Sequence, residues 1–362
     1  MEDVQIQKGE LVIYQIFDFA EELNLEQAQT ILQEKRSRGR LEQIPPDDIV
    51  FPNPPLCYSL GNHSLSLAQR EHTLIVEAHL FHTGNLCIAV WLPIPAGMPL
   101  RELLPFSLEA ENAKSLHELI QREAKRLLTM LRSIGKVREG YREDYTIFVL
   151  NELSRPCTED ADKELLASLL LRERGTRKIS KQTVEDVFAR SLSYFQDDLV
   201  LIDWDSAVVI DPDAGPITAI LEVATVQLLE LRYYDTTIDA KLSKIYEVLR
   251  KQKGLHSNLF WGSQGELLRS LLLTALELSQ HTDRVENSLK LIGDSYYARV
   301  YNLAAEKFEL SRSLSGLSQK SNAIRDVATL VNAETETARS LILEILVVLL
   351  IVTEIVLAFV GH

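Results

Sequence analysis

Hydrophobic and polar positions change rhythm along this 362-residue chain, and the rhythm predicts its elements. Leu11 to Ala20, rich in Val, Ile, Tyr and Phe, reads as a strand, and Asn24 then offers an N-cap to a helix beginning at Leu25. Ile44 to Pro55 holds five prolines and two adjacent aspartates, which predicts a long connection. Pro55 to Leu60 follows as a short strand. Thr73 to Phe81 and Leu86 to Leu92 flank Gly84 and Asn85 as a hairpin. A helical stripe through Leu116, Leu119, Ile120, Leu127 and Leu131 precedes a strand at Tyr145 to Leu150. Strand, helix, two paired strands, helix, strand is the order of a ferredoxin-like sandwich, so the expected class is α+β with that sandwich over residues 1–171.

Residues 172–215 read as a linker and a small hairpin completing the α/β part. RERGTRKISK, residues 172–181, is the most basic run; it serves either as a solvated connection or as a docking patch for an acidic partner. Thr183 to Arg190 suits a short helix, and Leu199 to Asp203 with Ala207 to Ile210 suits a hairpin.

From Pro216 the period becomes that of long helices. Leu221, Ala224, Leu228, Leu231, Ile238, Leu242, Ile245 and Leu249 keep a three-four spacing, resumed from Leu268 to Leu310 after a polar connection. This predicts a coiled-coil seam and an antiparallel helical hairpin over 216–310, an arm of roughly 50 Å at 1.5 Å per residue. Arg232, Tyr233, Tyr234 and Asp235 interrupt it. They are either ordinary helix support, with Arg232 reaching Asp235 or Asp239, or a buried polar station that fixes register. SRSLSGLSQKS, residues 311–321, is either a hinge or a continuation of helix, and residues 311–339 read as hinge and juxtamembrane helix.

Leu341 to Val360, LILEILVVLLIVTEIVLAFV, has the length and apolarity of a transmembrane anchor within residues 340–362. Its Leu, Ile, Val and Phe residues favour insertion by about 0.3–0.6 kcal/mol each, which outweighs Glu344 and Glu354 at ~3 kcal/mol each. A helix buried at the centre of an oligomer is the alternative. Lys320, Arg325 and Arg339 precede it, so the positive-inside bias predicts a tail-anchored, single-pass protein of a bacterial inner membrane, its bulk in the cytoplasm. Glu354 is either a snorkelling or protonated passenger or a contact between anchors of an oligomer.

A formal net charge of −14 argues against direct nucleic-acid binding and broad contact with anionic lipid. Glycine-rich phosphate loops are absent, and Cys57, Cys87 and Cys157 form no C-x-x-C pair. His79 and His82, an odd number of positions apart on a strand, face opposite ways and make no zinc pair. Asp203, Asp205, Asp211 and Asp213 crowd into LIDWDSAVVIDPDAG. Asp203 and Asp205 share a strand face and are weak candidates for a metal or general-base site, while acids at turns also bond to nearby backbone. No catalytic constellation and no cofactor site is legible.

ILEVATVQLLELRYYDTTIDAKLSKIYEVL, residues 220–249, and the terminal hydrophobic stretch resemble the YagE-type family of unknown function, which includes the "required for meiotic nuclear division" proteins. The resemblance maps Leu228, Leu229, Glu230, Leu231, Arg232, Tyr233, Tyr234 and Asp235 onto the family's helical motif, and Glu344 and Glu354 onto acids of its terminal helix. It departs at CIAVWLPIP. It implies no established enzymatic activity, and a role in translation by holding ribosomes near a membrane. The expected function is therefore a membrane-tethered, non-enzymatic scaffold that self-associates through its helical arm or anchor, with a ribosome or another protein as partner. A metal-dependent enzyme using the Asp cluster and an oligomeric channel-like assembly are the alternatives; a single span and the absence of G-M-N count against the channel.

Overall fold

The computed structural model describes residues 3–34, 41–42, 54–67, 70–134, 141–173, 178–251, 269, 272–273, 276, 294–326 and 329. At its centre is β1 (Gln5–Asp18), in which Leu11 to Ile16 are all buried. A strand covered on both faces needs such a nearly continuous apolar run rather than a clean alternation, and the one polar member, Gln15, donates to Asp144 at 2.8 Å. α1 (Leu25–Glu34) follows, then β2 (Leu41–Glu42), β3 (Leu56–Leu67), β4 (Arg70–Leu80), β5 (Asn85–Pro93) and β6 (Met98–Pro99). α2 (Leu100–Asn112) and α3 (Lys114–Leu131) lead to β7 (Arg142–Leu153), α4 (Asp160–Leu170), α5 (Lys181–Phe188), β8 (Leu199–Ile202) and β9 (Ser206–Ile210). α6 (Gly215–Lys251) and α7 (Ser295–Lys307) complete the labelled elements, and residues 310–326 are also helical.

Among the described residues nine strands form one sheet in the order β2-β3-β4-β5-β1-β7-β9-β8, with β6 pairing the start of β1. Every pairing is antiparallel except β7 with β9. The four-stranded ferredoxin-like sandwich expected over 1–171 is corrected to this wider, mixed sheet. Its middle, β4-β5-β1-β7, runs in the order of that sandwich. Further pairing on β4, by β3 and β2, and on β7, by β9 and β8, extends it on both sides.

Side chains alternate across the sheet, so each face has its own cover. Leu11, Ile13, Leu74, Val76, Ile88, Val90, Phe148 and Val208 share one core with Leu32 of α1, Leu103 of α2, Leu127 of α3 and Leu166 of α4. On the other face Val12, Tyr14, Cys87, Ala89, Ile147 and Val209 are buried as well. Burying one such large aliphatic or aromatic side chain contributes about 1.5–3 kcal/mol. The second face is covered by α6. The Tyr14 hydroxyl donates to the Thr218 carbonyl at 3.3 Å, and the Asn85 amide donates to Glu230 at 2.7 Å.

These contacts correct the coiled-coil seam. Ala224, Leu228 and Leu231 are buried, but Glu222, Thr225, Gln227 and Glu230 are buried along the same stretch, which no heptad pattern specifies. From Leu221 to Leu231 the three-four stripe marks a buried helix face whose partner is a sheet, while residues 252–268 and 277–293 of the expected hairpin lie outside the described residues. The hinge reading of 311–321 gives way to helix through 310–326.

Between β4 and β5 the chain reverses at Gly84, whose φ of +82° suits glycine. Its carbonyl accepts from the Phe19 and Ala20 amides at 3.1 and 3.2 Å, locking the end of β1 over the hairpin. A Cβ on Gly84 would lie 2.1 Å from the Ala20 carbonyl oxygen.

The chain divides into two compact units, Met1–Tyr233 with Arg284–Ser311, and Tyr234–Asp283 with Arg312–His362. In the second, Tyr234, Ile238, Leu317 and Ile324 are buried, and Lys320 Nζ lies 2.6 Å from Asp235 and 2.7 Å from Asp239. Lys320 thus stands against both aspartates that the sequence offered to Arg232.

Among the described residues no helix is long and apolar enough to cross a membrane. The apolar part of α6 spends its buried surface on the sheet and carries buried acids, so it is no span. The transmembrane, tail-anchored and single-pass inner-membrane assignments are corrected accordingly and are not carried forward. Leu341 to Val360, with Glu344 and Glu354, lies outside the described residues.

Candidate functional site

The sequence candidates fall into separate places. Asp203 and Asp205 flank Trp204 in the tight turn between β8 and β9, and each meets a different cation of the protein. Lys307 Nζ lies 3.0 Å from Asp203, and Arg172 lies 3.8 Å from Asp205, which is largely exposed. The Tyr145 hydroxyl donates to the Asp203 and Ser206 carbonyls, so this turn is tied to β7 as a structural corner. Among the described residues no group of three or more His, Cys, Asp or Glu side chains converges on a metal-sized point.

The helical motif is likewise shared out. Leu228, Leu229, Glu230 and Leu231 are buried. Arg232 pairs with Glu143 of β7 at 2.6 Å, and the Tyr233 ring meets Tyr141 edge-on. Tyr234 is buried and Asp235 pairs with Lys320.

His79, set aside as a zinc ligand, anchors the covered face instead. Its Nδ1 lies 2.7 Å from Glu222 Oε1, and its Nε2 faces Glu77 at 3.4 Å. Cys57, His79 and Cys87 stand in cross-strand register on β3, β4 and β5. Burial opposes a charge on His79. The charge of the Glu222 carboxylate, with the ring's hydrogen bonds to Cys57, Glu222 and Glu77, outweighs it and holds the imidazole well above its usual range. Burial and Glu222 together push the Cys87 thiol well up, so this cysteine is an inert neutral group. The His79–Glu222 pair is buried and joins helix to sheet.

An open concavity occurs elsewhere in the first unit, where three chain segments meet: the loop before β8, the loop between β9 and α6, and the first turn of α7. The cavity holds about 580 Å³. Its walls carry five carboxylates, Asp197, Asp198, Asp211, Asp213 and Asp294, and four aromatic rings, Tyr194, Phe195, Tyr296 and Tyr297. Turn chemistry builds it. Asp198 accepts the Tyr194 and Phe195 amides at 2.7 and 2.9 Å, Asp211 accepts the Asp213 amide at 2.7 Å, and Asp294 caps α7 by accepting the Tyr296 amide at 2.6 Å. The Tyr194 ring packs edge-on against both Phe195 and Tyr296.

Two features separate this cavity from an ordinary cluster of turn acids. Among the described residues none of its five carboxylates is ion-paired with a Lys, Arg or His. The Tyr296 hydroxyl, on a residue only 7% exposed, has no hydrogen-bond partner among the described residues. Burial raises its proton affinity first, and Asp198 and Asp211 add to this while Arg299 opposes it, so the hydroxyl sits in the field of the cavity's own acids. Asp211 is raised for the same reasons: burial, offset by the Asp213 amide, then the neighbouring charges of Asp198, Asp213 and Asp197. The acids crowd one another, and among the described residues none is ion-paired with a cation; Arg299 acts on Tyr296 only through its field.

Two of the three cavity segments, and the whole sheet from within β1 onward, lie in a region that known sequences share. A family described as "Uncharacterized protein MJ0711, N-terminal domain" matches residues 8–216. The chain belongs to that family. Uncharacterized protein MJ0711 of Methanocaldococcus jannaschii is 25% identical over 222 residues, which cover 61% of this chain and 67% of that protein. The YagE-type resemblance, which reached weakly to residues 11–32, is corrected by this match; it was strongest over residues 220–249 and the terminal stretch, where apolar helical periodicity is common to many buried helices. The ribosome partnership and membrane role it implied lose their ground, and an archaeal relative gives none for a bacterial source.

Sequence reasoning reached Asp211 and Asp213 but missed their companions. Asp197-Asp198 beside Tyr194-Phe195, and Asp294 two residues before Tyr296, are acid-aromatic clusters that a search for N-caps and turns would have marked.

Proposed function

We propose that this chain is a non-enzymatic binding protein whose α/β unit recognises a positively charged group in the acidic, aromatic cavity. The observation that carries the reading is the set of five carboxylates, none ion-paired among the described residues, walled by four aromatic rings. Carboxylates attract a cation, and ring faces add the favourable contact that aromatic quadrupoles make with ammonium or guanidinium groups. A volume of about 580 Å³ lies within the roughly 300–1,000 Å³ typical of small-molecule sites.

The enzyme alternative built on Asp203 and Asp205 is the weaker one, since Lys307 and Arg172 already answer those charges. Calorimetric titration of the full chain with a series of organic cations tests the proposal. Saturable binding that Asp211→Asn and Asp213→Asn together abolish is expected. Failure of every cation to bind would sink it.

A further inference from the structure

Cys57, His79 and Glu222 line up as a thiol, an imidazole and a carboxylate, and the sheet sets the order. Cys57 of β3 stands opposite His79 of β4, and His79 opposite Cys87 of β5, so the three side chains rise in one row from the same face. α6 places Glu222 over the middle of that row, with its two carboxylate oxygens 2.7 and 2.9 Å from His79 Nδ1. The ring also hydrogen-bonds the Cys57 thiol, and its Nε2 faces Glu77 at 3.4 Å. A thiol beside an imidazole that a third group holds in place is the arrangement by which proteins activate cysteine.

The row is graded in exposure. Cys87 has none, His79 is 7% exposed and Cys57 9%, so Cys57 is the thiol that solvent touches, through an opening suited only to a small reagent. Glu222 keeps the His79 ring protonated near neutrality, and a cationic ring beside a thiol both favours the thiolate and holds a proton ready to give.

We infer that Cys57 is an oxidant-sensitive nucleophile, a modification site at which hydrogen peroxide converts the thiol to a sulfenic acid with His79 as proton donor. The thiolate sulfur attacks one peroxide oxygen, the O–O bond breaks, and the imidazolium gives its proton to the leaving hydroxide, which departs as water. Sulfur loses two electrons, the peroxide gains them, and His79 recovers a proton from solvent. Cys87 does not go on to form a disulfide, because β4 lies between the two cysteines. Two strand spacings put them about 10 Å apart, beyond the roughly 7 Å that a disulfide spans. The site is separate from the acidic cavity and does not depend on what binds there.

The test exposes the full chain to hydrogen peroxide at neutral pH, alkylates the remaining thiols under denaturing conditions and follows each cysteine by peptide mass spectrometry. N-acetylcysteine, measured separately in the same buffer, sets the rate of an unassisted thiol. Cys57 is expected to be oxidised at least about tenfold faster than N-acetylcysteine, and Cys87 and Cys157 more slowly than it. His79→Gln, in a chain that circular dichroism shows to be folded at the assay temperature, should bring Cys57 down to the free-thiol rate or below. Oxidation of Cys57 no faster than the free thiol in the unaltered chain would overturn the inference, whether or not the variant folds. Cys87 keeping pace with Cys57 would overturn it too, since the sheet would then be opening as a whole, and so would a folded His79→Gln chain in which Cys57 keeps its rate.

Discussion

His79 Nδ1 lies 2.7 Å from Glu222 Oε1, and this contact fastens β4 to α6 inside the covered face of the sheet. Both side chains are almost fully buried. Glu222→Gln should lower stability by about 3 kcal/mol, because it leaves a desolvated imidazole beside a neutral amide. Urea denaturation measures this directly. A loss under 1 kcal/mol would mean that the pair is not formed.

The same pair predicts a pH dependence. His79 is raised above 6.5 in the folded chain, so its proton is held more tightly folded than unfolded, and the contribution is complete below about pH 6.5. As pH rises through the elevated folded value it is lost. Glu222, Glu77, Cys57, Cys87 and Tyr14 surround the site, and the Cys87 and Tyr14 values are raised well above their usual ones, so neither group supplies the effect near neutrality. Stability should fall from pH 6 towards alkaline pH, and the slope should flatten in Glu222→Gln.

Leu228→Ala distinguishes the two possible partners of the α6 stripe. Leu228 is 3% exposed in the first unit. A cavity there should cost about 2–4 kcal/mol. Light-scattering mass should not change with the substitution; a seam between chains would instead shift the oligomer towards smaller species.

The contrast between stripe and partner explains what the sequence could reveal. Period-two patterning near residues 73–81 and 86–92 is local, and it coincides with β4 and β5 because Gly84 can take the φ of +82° that the intervening turn needs. Sheet order is not local. β1 pairs β5 and β7 through contacts far apart in sequence, and β2, β3, β8 and β9 widen the sheet through edges that no single strand announces. Likewise Leu221, Ala224 and Leu228 show that a face of α6 is buried, yet nothing in their spacing tells a sheet from a second helix. In the cavity, Asp211 and Asp213 were visible as a pair. Tyr296 reaches them only because the fold brings the start of α7 beside the end of β9.

Gly84→Ala should destabilise by about 2 kcal/mol or more. It combines a left-handed backbone with a Cβ placed 2.1 Å from the Ala20 carbonyl oxygen. Thermal unfolding checks it, and Gly316→Ala serves as control, since nothing crowds a Cβ there and helix propensity favours alanine.

Magnesium or EDTA should leave the melting temperature of the chain within about 1 °C, because Asp203 and Asp205 already face Lys307 and Arg172. A metal-dependent rise lost in Asp205→Asn would restore the enzyme reading.

β1 is synthesised first but sits mid-sheet, and its neighbours arrive at Asn85–Pro93 and Arg142–Leu153. At ~5–20 residues per second, the ribosome exposes this apolar strand for on the order of ten seconds before both partners emerge. Over that interval the strand's hydrogen-bonding edges and its buried Leu11–Ile16 run stand unpaired, which makes it the stretch of the nascent chain most open to edge-to-edge association.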